Sequence, residues 1–314
     1  MCLQLWKERW PAMRQAGVEW SLAQIMECSF CAKERARRCR MLSTVNESCD
    51  ATRRDILNTA PYMHPCNWPK FQASQKRAVL FARAQRSQIL WVQAIDMPDT
   101  DEDKKLSKES LLQKREEWMK YHDMKTAGIL GLFPCTANLP VRFTHTLDKK
   151  RRIFKFARGR LVGWELHKVD QERVEGTQDH EILLSRQPKR LFVTRDCSSN
   201  SLTPSSSDIF AVAPRKVTWY RGPDCTAPVS RIGFPVVPDF AGTIHSYTGE
   251  SLKTGNVDCL GVDDTPRAEE QWKSYIGISR LTTADGLLIA QPFAPMLFRQ
   301  GPLLGPTLLM KFQR

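Results

Sequence analysis

The sequence predicts an α/β protein in which a parallel-sheet domain is interrupted by a smaller β-rich module. The helical pattern of Phe71–Gln88 runs directly into the continuous apolar segment Ile89–Ile95. A helix that feeds a buried strand is the building unit of a parallel sheet with both faces covered. From 149 to 231, by contrast, short apolar runs alternate with polar turns, which is typical of a small β module. The 314 residues, 41% of them apolar, are enough to bury a core.

The N-terminal region, 1–59, is predicted to be helical, because apolar residues between Leu3 and Met26 recur every three or four positions. An arginine-rich continuation carries four candidate zinc ligands: Cys28, Cys31, Cys39 and Cys49. The gap within the second pair is not a usual zinc-ligand spacing. We therefore favour thiols that pack or stay free, and a zinc site remains the alternative.

The chain has 10 cysteines and shows no secretory leader, so we expect reduced thiols. A nuclear or cytoplasmic location follows as an expectation, and a mitochondrial one is left open. No apolar run approaches the roughly 18 residues that a membrane span needs, so we expect no membrane partner.

Between 60 and 148 the pattern continues with helix and strand signals. His64 stands beside prolines and is interpreted as a loop residue. Lys104–His122 predicts a solvated helix with charge pairs at helical spacing. Gly128–Leu132 and Leu139–Thr144 then predict two strands.

The β-rich module is predicted from short apolar runs separated by polar linkers. Its predicted strands are Arg160–Trp164, Ile182–Leu184, Arg190–Thr194, Ile209–Val212 and Lys216–Tyr220.

The module also holds much of the excess positive charge. The whole chain has a formal net charge of +13, and Arg142–Arg231 has 18 Lys and Arg against 10 Asp and Glu, a net +8. Aromatic residues are interleaved with these cations, namely Phe156, Trp164, Phe192, Trp219 and Tyr220. Charge that tracks phosphates and rings that stack on bases are what single-strand binding requires. The alternatives are a solvated basic surface and aromatics that form the module's core.

Two blocks resemble motifs of a known family. Phe240-Ala-Gly-Thr-Ile-His-Ser-Tyr-Thr-Gly249 and Ser274-Tyr-Ile-Gly-Ile-Ser-Arg-Leu-Thr-Thr-Ala-Asp-Gly-Leu-Leu-Ile289 each read as an apolar strand with polar groups at its end. They resemble motifs V and VI of superfamily-one helicases of the RecD-like and Pif type, A-x-T-I-H-K-S-Q-G and Y-V-A-L-S-R-x-x-x-x-x-G-L. Ile153–Trp164 is similar to the family's L-V-N-G-A-R-G-x-V-V-G segment.

The resemblance covers about 60–300 as the carboxyl-terminal half of such a helicase. It implies a RecA-like domain, of the P-loop NTPase type, in two pieces, 60–148 and 233–300. A small SH3-like insertion, the 2B element, would occupy 149–232 between the two pieces, and 301–314 would be a tail.

The resemblance also implies site residues. Thr243, His245 and Ser246 would contact nucleic acid, and the basic segment adds Arg158 and Arg160. Gly249 and Ser279 would be associated with the nucleotide, and Arg280 would be an arginine finger on the γ-phosphate. Three positions depart from the motif, because Ser246, Tyr247 and Thr248 replace the usual Lys, Ser and Gln. Losing the Lys removes a phosphate cation, so we expect a weaker grip or weaker coupling.

The implied cofactors are ATP and Mg²⁺, and the implied partner is single-stranded DNA, with RNA left open. DNA unwinding in repair or recombination is the expected role. The sequence has no Gly-Lys dipeptide, so a phosphate-binding loop is missing and we expect no ATP turnover from this chain alone. Two alternatives remain: a non-enzymatic nucleic-acid-binding remnant, and a zinc-stabilised interaction protein.

The expected architecture has a geometric consequence. Strands that end near Thr243 and Ser279 should lie in one sheet, and His245 and Arg280 should stand at the same exposed edge.

Overall fold

The structure is a computed structural model that describes residues 60–100, 107–195, 209–221, 227–259, 268–283 and 286–290. The predicted helical region 1–59 with its four candidate zinc ligands, and the tail 301–314, lie outside the described residues. The chain divides into two compact units. The parallel-sheet unit comprises Met1–Lys70 and Ala241–Arg314, and the central unit comprises Phe71–Phe240.

The described strands and helices alternate irregularly along the chain. The strands are β1 (Tyr62–His64), β2 (Ile89–Gln93), β3 (Ile95–Pro98), β4 (Leu132–Cys135), β5 (Pro140–Phe143), β6 (Arg158–Glu165), β7 (Glu181–Leu183), β8 (Arg190–Arg195), β9 (Ile209–Val212), β10 (Arg215–Arg221), β11 (Ala227–Gly233), β12 (Val236–Pro238), β13 (Ala241–Thr243), β14 (Gly255–Val257) and β15 (Leu287–Ile289). The α-helices are α1 (Asn67–Ala84), α2 (Lys108–Met119), α3 (Lys168–Glu175) and α4 (Ala268–Ile278), and short 3-10 helices cover Asp123–Thr126 and Ile244–Tyr247. None of these described helices is long and apolar enough to span a membrane.

The parallel-sheet unit is built on four strands in the order β13-β1-β14-β15. All three pairings in this sheet are parallel. The predicted parallel sheet and the α/β class are therefore confirmed. The central strand β1 was not predicted, because only three residues stand between Pro61 and Pro65.

The strand predicted from the block that begins at Ser274 is wrong in its first half. Ser274–Ile278 belongs to helix α4, and only Leu287–Ile289 forms a strand. A short apolar run does not distinguish a strand from a buried helical turn by its pattern alone. The helix packs closely, since a Cβ on Gly277 would lie 2.8 Å from Val257 Cγ1. The core of this unit consists of Met63, Ile244, Tyr247, Val257, Cys259, Ile276 and Leu281.

The central unit contains three sheets. A five-stranded antiparallel sheet has the order β12-β5-β6-β8-β9, and a three-stranded antiparallel sheet has the order β10-β11-β3. In the third sheet β2 pairs with β4 in antiparallel and with β7 in parallel fashion. Ile89–Gln93 therefore lies in this sheet, and not in the parallel sheet that the sequence predicts for it.

All five strands predicted for 149–232 are present as β6 to β10. They do not form a sheet of their own: β6 pairs with β5, β7 with β2, and β10 belongs to a sheet with β3. Helix α3 lies between β6 and β7 and was not predicted. The SH3-like character of the insertion and the domain boundaries at 59, 148, 232 and 300 remain predictions.

One fully buried ion pair lies in the described part of the central unit. Arg231 is 0% exposed, and its Nε and Nη2 donate to Asp96 Oδ1 and Oδ2 at 2.7 and 2.6 Å. Its guanidinium also donates to the carbonyl oxygens of Ile129 and Trp118 at 3.2 and 2.8 Å. A buried charge is tolerated only when it is paired and hydrogen-bonded in this way.

Candidate nucleic-acid interface

The carboxyl edge of the parallel sheet brings polar residues from three strands together. β13 ends at Thr243, β1 ends at His64, and Asp258 follows the last residue of β14. Thr243 and His64 are register partners. Ligands of open α/β sheets bind outside the carboxyl ends of the strands. This edge is therefore a candidate ligand-binding site.

The order of the strands also marks a crossing point. The chain enters the sheet at β1, continues on one side of it with β13, and then crosses to the other side for β14. Such a reversal leaves a crevice between the first strand and the strand after the crossing. His64 and Asp258 stand at the carboxyl ends that flank this crevice.

His64 and Asp258 form a buried polar pair that the sequence analysis missed. They are 6% and 5% exposed, and His64 Nε2 lies 3.8 Å from Asp258 Oδ2. Tyr62 Oη donates to Asp258 Oδ2 at 2.8 Å, and the Cys66 N–H donates to His64 Nδ1 at 2.8 Å. Burial lowers the pKa of His64, while the Asp258 carboxylate opposes the shift. The sequence signal for this pair was the tripeptide Tyr62–His64 between Pro61 and Pro65, which the sequence analysis interprets as a loop.

Thr243 and His245 lie at the exposed end of β13. Thr243 is half-buried and precedes the 3-10 helix Ile244–Tyr247 without capping it through its side chain. His245 is exposed on this helix. Ser246 Oγ donates to Thr243 O at 2.6 Å, so its hydroxyl holds the turn. Gly249 has φ +87°, a conformation that glycine adopts without strain.

Trp272 lies beside His245 and was not singled out from the sequence. Their ring centroids are 5.3 Å apart at an interplanar angle of 57°. Trp272, on helix α4, is 43% exposed. The two rings are tilted and do not form one plane, but the exposed indole offers a face on which a planar group can stack.

Arg280 lies elsewhere in the same unit. Its Nε donates to Ile276 O at 3.1 Å and its Nη2 to Ser279 Oγ at 3.0 Å, at the end of α4. The Leu252 N–H, just before the amino end of β14, donates to Arg280 O at 2.8 Å. Arg280 therefore stands at the amino edge of the sheet, whereas Thr243 stands at the carboxyl edge. The expectation that His245 and Arg280 share one edge is wrong, because a helix separates them.

Arg158 and Arg160 belong to the central unit. Arg158 Nε lies 2.9 Å from Asp239 Oδ2, and Arg142 Nε donates to Asp239 Oδ1 at 2.8 Å. The charge of Arg158 is therefore partly neutralised. Arg160 is exposed on β6, opposite Thr194.

The five aromatic residues of the module fall into different environments. Trp219 is 2% exposed and packs edge-on against Trp118 and Tyr121, so for Trp219 the core interpretation is right. Trp164 packs against the main core, and Phe192 is half-buried. Phe156 and Tyr220, by contrast, are 54% and 52% exposed.

The fold described above is similar to that of solved Pif1 helicases. No protein-family model matches the chain, and no curated protein sequence matches it. Among solved structures, the Pif1 helicase from Candida albicans matches with a TM-score of 0.50 and 13% identity, over 93% of this chain and 58% of that chain.

Bacteroides Pif1 provides two further matches, one bound to ssDNA and one in complex with ADP-AlF3 and ssDNA. Both have a TM-score of 0.47 and 12% identity. They cover 94% and 93% of this chain, and 53% and 52% of those chains. The chain thus spans little more than half the length of the solved structures that it matches.

Proposed function

We propose that this chain is the nucleic-acid-binding part of a helicase-type motor, and that it binds single-stranded DNA. The observation that carries the proposal is the position of Thr243 and His245. Thr243 is the last residue of the parallel strand β13 and His245 follows it at the carboxyl edge, and both match motif V of the helicases that the sequence resembles. The similarity of the fold to a Pif1 helicase supports the proposal, because the motif belongs to helicases of that type.

The side chains at this edge suit the phosphate backbone. The Thr243 hydroxyl and a His245 ring N–H are donors for phosphate oxygens, which fixes the strand without reading its sequence. Ser246 stands where the family has Lys, and its hydroxyl already donates to Thr243 O. It contributes no charge, so we expect a moderate affinity with a shallow salt dependence at this edge.

Trp272 adds a stacking surface next to these donors. A base that follows the phosphate at Thr243 would find the indole beside the His245 ring. Base stacking on aromatic side chains tolerates any sequence, because every base has a π face. The edge would therefore bind single strands in preference to duplexes, whose bases are already stacked.

ATP and Mg²⁺ do not fit the residues of this chain by themselves. The sequence has no Gly-Lys dipeptide, and the Arg280 guanidinium donates to Ile276 O and Ser279 Oγ of its own unit. A nucleotide-associated role for Arg280, Ser279 and Gly249 belongs to the proposal only where a separate ATP-binding domain holds the phosphates. We expect no phosphate release from the 314-residue chain with ATP, Mg²⁺ and single-stranded DNA. Robust turnover in a colorimetric phosphate assay would contradict this.

The binding proposal is tested by fluorescence anisotropy with a labelled oligo-dT at several salt concentrations. The variant Thr243→Val/His245→Ala removes two donors to charged oxygens. Such bonds contribute about 1.5–3 kcal/mol each, so loss of both should lower the affinity at least about 100-fold. Matched controls are Thr283→Val and His180→Ala, which change an exposed threonine and an exposed histidine elsewhere. An oligo-rU of equal length separates DNA from RNA preference.

Two results would contradict the proposal. A wild-type chain that does not bind oligo-dT at low salt would refute the proposed function. A double variant that binds as tightly as the two controls would show that the motif-V edge is not the binding surface.

A further inference from the structure

The loop between β5 and β6, which we call the basic loop (residues 148–157), carries a dense run of exposed positive charge. Its exposed cations are Lys149, Lys150, Arg151, Arg152 and Lys155. The loop contains one carboxylate, Asp148, whose Oδ2 lies 4.0 Å from Arg151 Nε. Five cations against one carboxylate leave a strongly positive surface.

Two phenylalanines in the same loop face solvent. Phe154 is 48% exposed and Phe156 is 54% exposed, while Ile153 between the cations and the rings is only 3% exposed. Ile153 anchors the loop in the main core, and the rings stand outside it. Lys155 lies between the two phenylalanines, with its Nζ 5.1 Å from the Phe156 ring centroid.

The backbone holds the loop in a defined shape. The Ile153 N–H donates to Asp148 O at 2.7 Å, and the Phe156 N–H donates to Phe143 O at 2.7 Å. Phe156 has φ +73°, a left-handed conformation that is uncommon for a bulky side chain. Strained backbone of this kind persists only where the surrounding structure maintains it, and it is found most often at functional sites. Here the conformation accompanies an aromatic ring that is exposed to solvent.

We propose that the basic loop is a binding surface for single-stranded nucleic acid, separate from the motif-V edge. The cations contact phosphates, and Phe154 and Phe156 stack on unpaired bases. The order Phe-Lys-Phe places a cation between two exposed rings, which supplies both the charge and the aromatic faces that single-strand binding uses. The inference shares its ligand class with the proposed function but rests on different residues in the central unit. Neither Thr243 nor His245 enters it.

Two sets of substitutions in the full chain separate stacking from charge. Phe154→Ala/Phe156→Gly removes both rings, and glycine adopts φ +73° without strain, so the fold should be retained. Stacking of one base is worth about 5-fold to 150-fold in affinity, so binding of oligo-dT should weaken at least about 5-fold. Binding of an abasic oligonucleotide of equal length should not change, because it has no bases to stack.

The charge variant is Lys149→Gln/Lys150→Gln/Arg152→Gln. Each cation that no longer neutralises a phosphate of a single strand lowers the log–log salt slope by about 0.7, so the slope should fall by about 2. The matched control is Lys168→Gln/Val169→Ala on α3, which removes an exposed cation and an exposed apolar side chain of the same unit. Thermal unfolding of each variant checks that the fold is intact.

The outcomes distinguish this inference from the proposed function. If folded basic-loop variants bind oligo-dT like the control while Thr243→Val/His245→Ala binds weakly, the inference is refuted and the proposed function stands. If the loop variants lose binding to phosphatidylserine vesicles but keep oligo-dT binding, the loop serves a membrane surface and the inference is also refuted. A wild-type chain that does not bind oligo-dT refutes both.

Discussion

Replacement of Asp96 by alanine is expected to destabilise the central unit severely, because it leaves a buried guanidinium without its counter-ion. Arg231 and Asp96 are 0% and 2% exposed, and two hydrogen bonds of 2.7 and 2.6 Å join them. The carbonyl oxygens that also accept from Arg231 carry only partial charge and do not replace the carboxylate. Removing one partner of such a pair costs about 3–5 kcal/mol.

Urea unfolding followed by tryptophan fluorescence measures this effect, since the Arg231 guanidinium lies 5.4 Å from the centroid of the Trp219 ring. The matched control is Arg83→Ala, which breaks a pair with Glu181 whose side chains are 64% and 42% exposed. Exposed pairs contribute at most about 1 kcal/mol. The apolar variant Asp96→Ala/Arg231→Met should recover part of the loss, because it removes the stranded charge. If Asp96→Ala costs no more than Arg83→Ala, the reasoning is refuted.

Two further predictions concern the parallel-sheet unit. Trp272→Ala should weaken oligo-dT binding about 5-fold to 150-fold, the value of one stacked base, whereas Trp68→Ala, which removes an indole of similar exposure (45% against 43%), should not. Anisotropy titrations with both variants decide this, and equal affinities would exclude Trp272. His64→Asn should reduce the loss of stability at low pH. Because burial lowers the pKa of His64 from its ordinary value of 6.5, the unfolded chain takes up the proton first as pH falls below that value. Unfolding free energy should therefore fall below about pH 6.5, by at most about 1.4 kcal/mol per pH unit from this residue. Denaturant titrations between pH 5 and 8, the range in which an ordinary histidine changes its charge, measure this effect. The unfolding free energy should depend less steeply on pH in the variant, and an unchanged pH dependence would show that His64 is not responsible.

The positions of the central strands follow from the sequence, but their partners do not. Ile209–Val212 alternates exposed and buried positions, Arg190–Thr194 does so only as far as Val193, and both are strands in the structure. The pairing of β7 with β2 joins Ile182 to Leu90. No local pattern records such a contact, because strand pairing depends on packing between distant segments. The parallel sheet was predicted, while the membership of Ile89–Gln93 in it was wrong for this reason.

The candidate site was predictable only as far as its motif extends. Thr243 and His245 were found because the motif is contiguous around β13. His64 and Asp258 are 194 positions apart in the numbering (258 minus 64), and they meet only because β1 and β14 are neighbours. Trp272 lies two residues before Ser274, where the second block begins. The predicted location of Arg280 is wrong because Ser274–Ile278 is helical, and this helix carries the chain to the opposite edge of the sheet.

Charge counting along the sequence located the basic region but not its binding surface. Arg231 contributes to the excess in the central unit, yet it is fully buried against Asp96. Arg142 and Arg158 share Asp239, so part of their charge is also compensated inside the protein. The cations that remain exposed near aromatic rings are concentrated in the basic loop. The proposed contact with a polyanion therefore lies at a short loop of defined backbone conformation, and not along the whole basic stretch. The two proposed contacts differ in kind, since the motif-V edge offers neutral donors beside Trp272 and the basic loop offers charge beside two phenylalanines. Salt should consequently weaken binding mainly through the basic loop, and a salt titration of loop and edge variants side by side separates the two contributions.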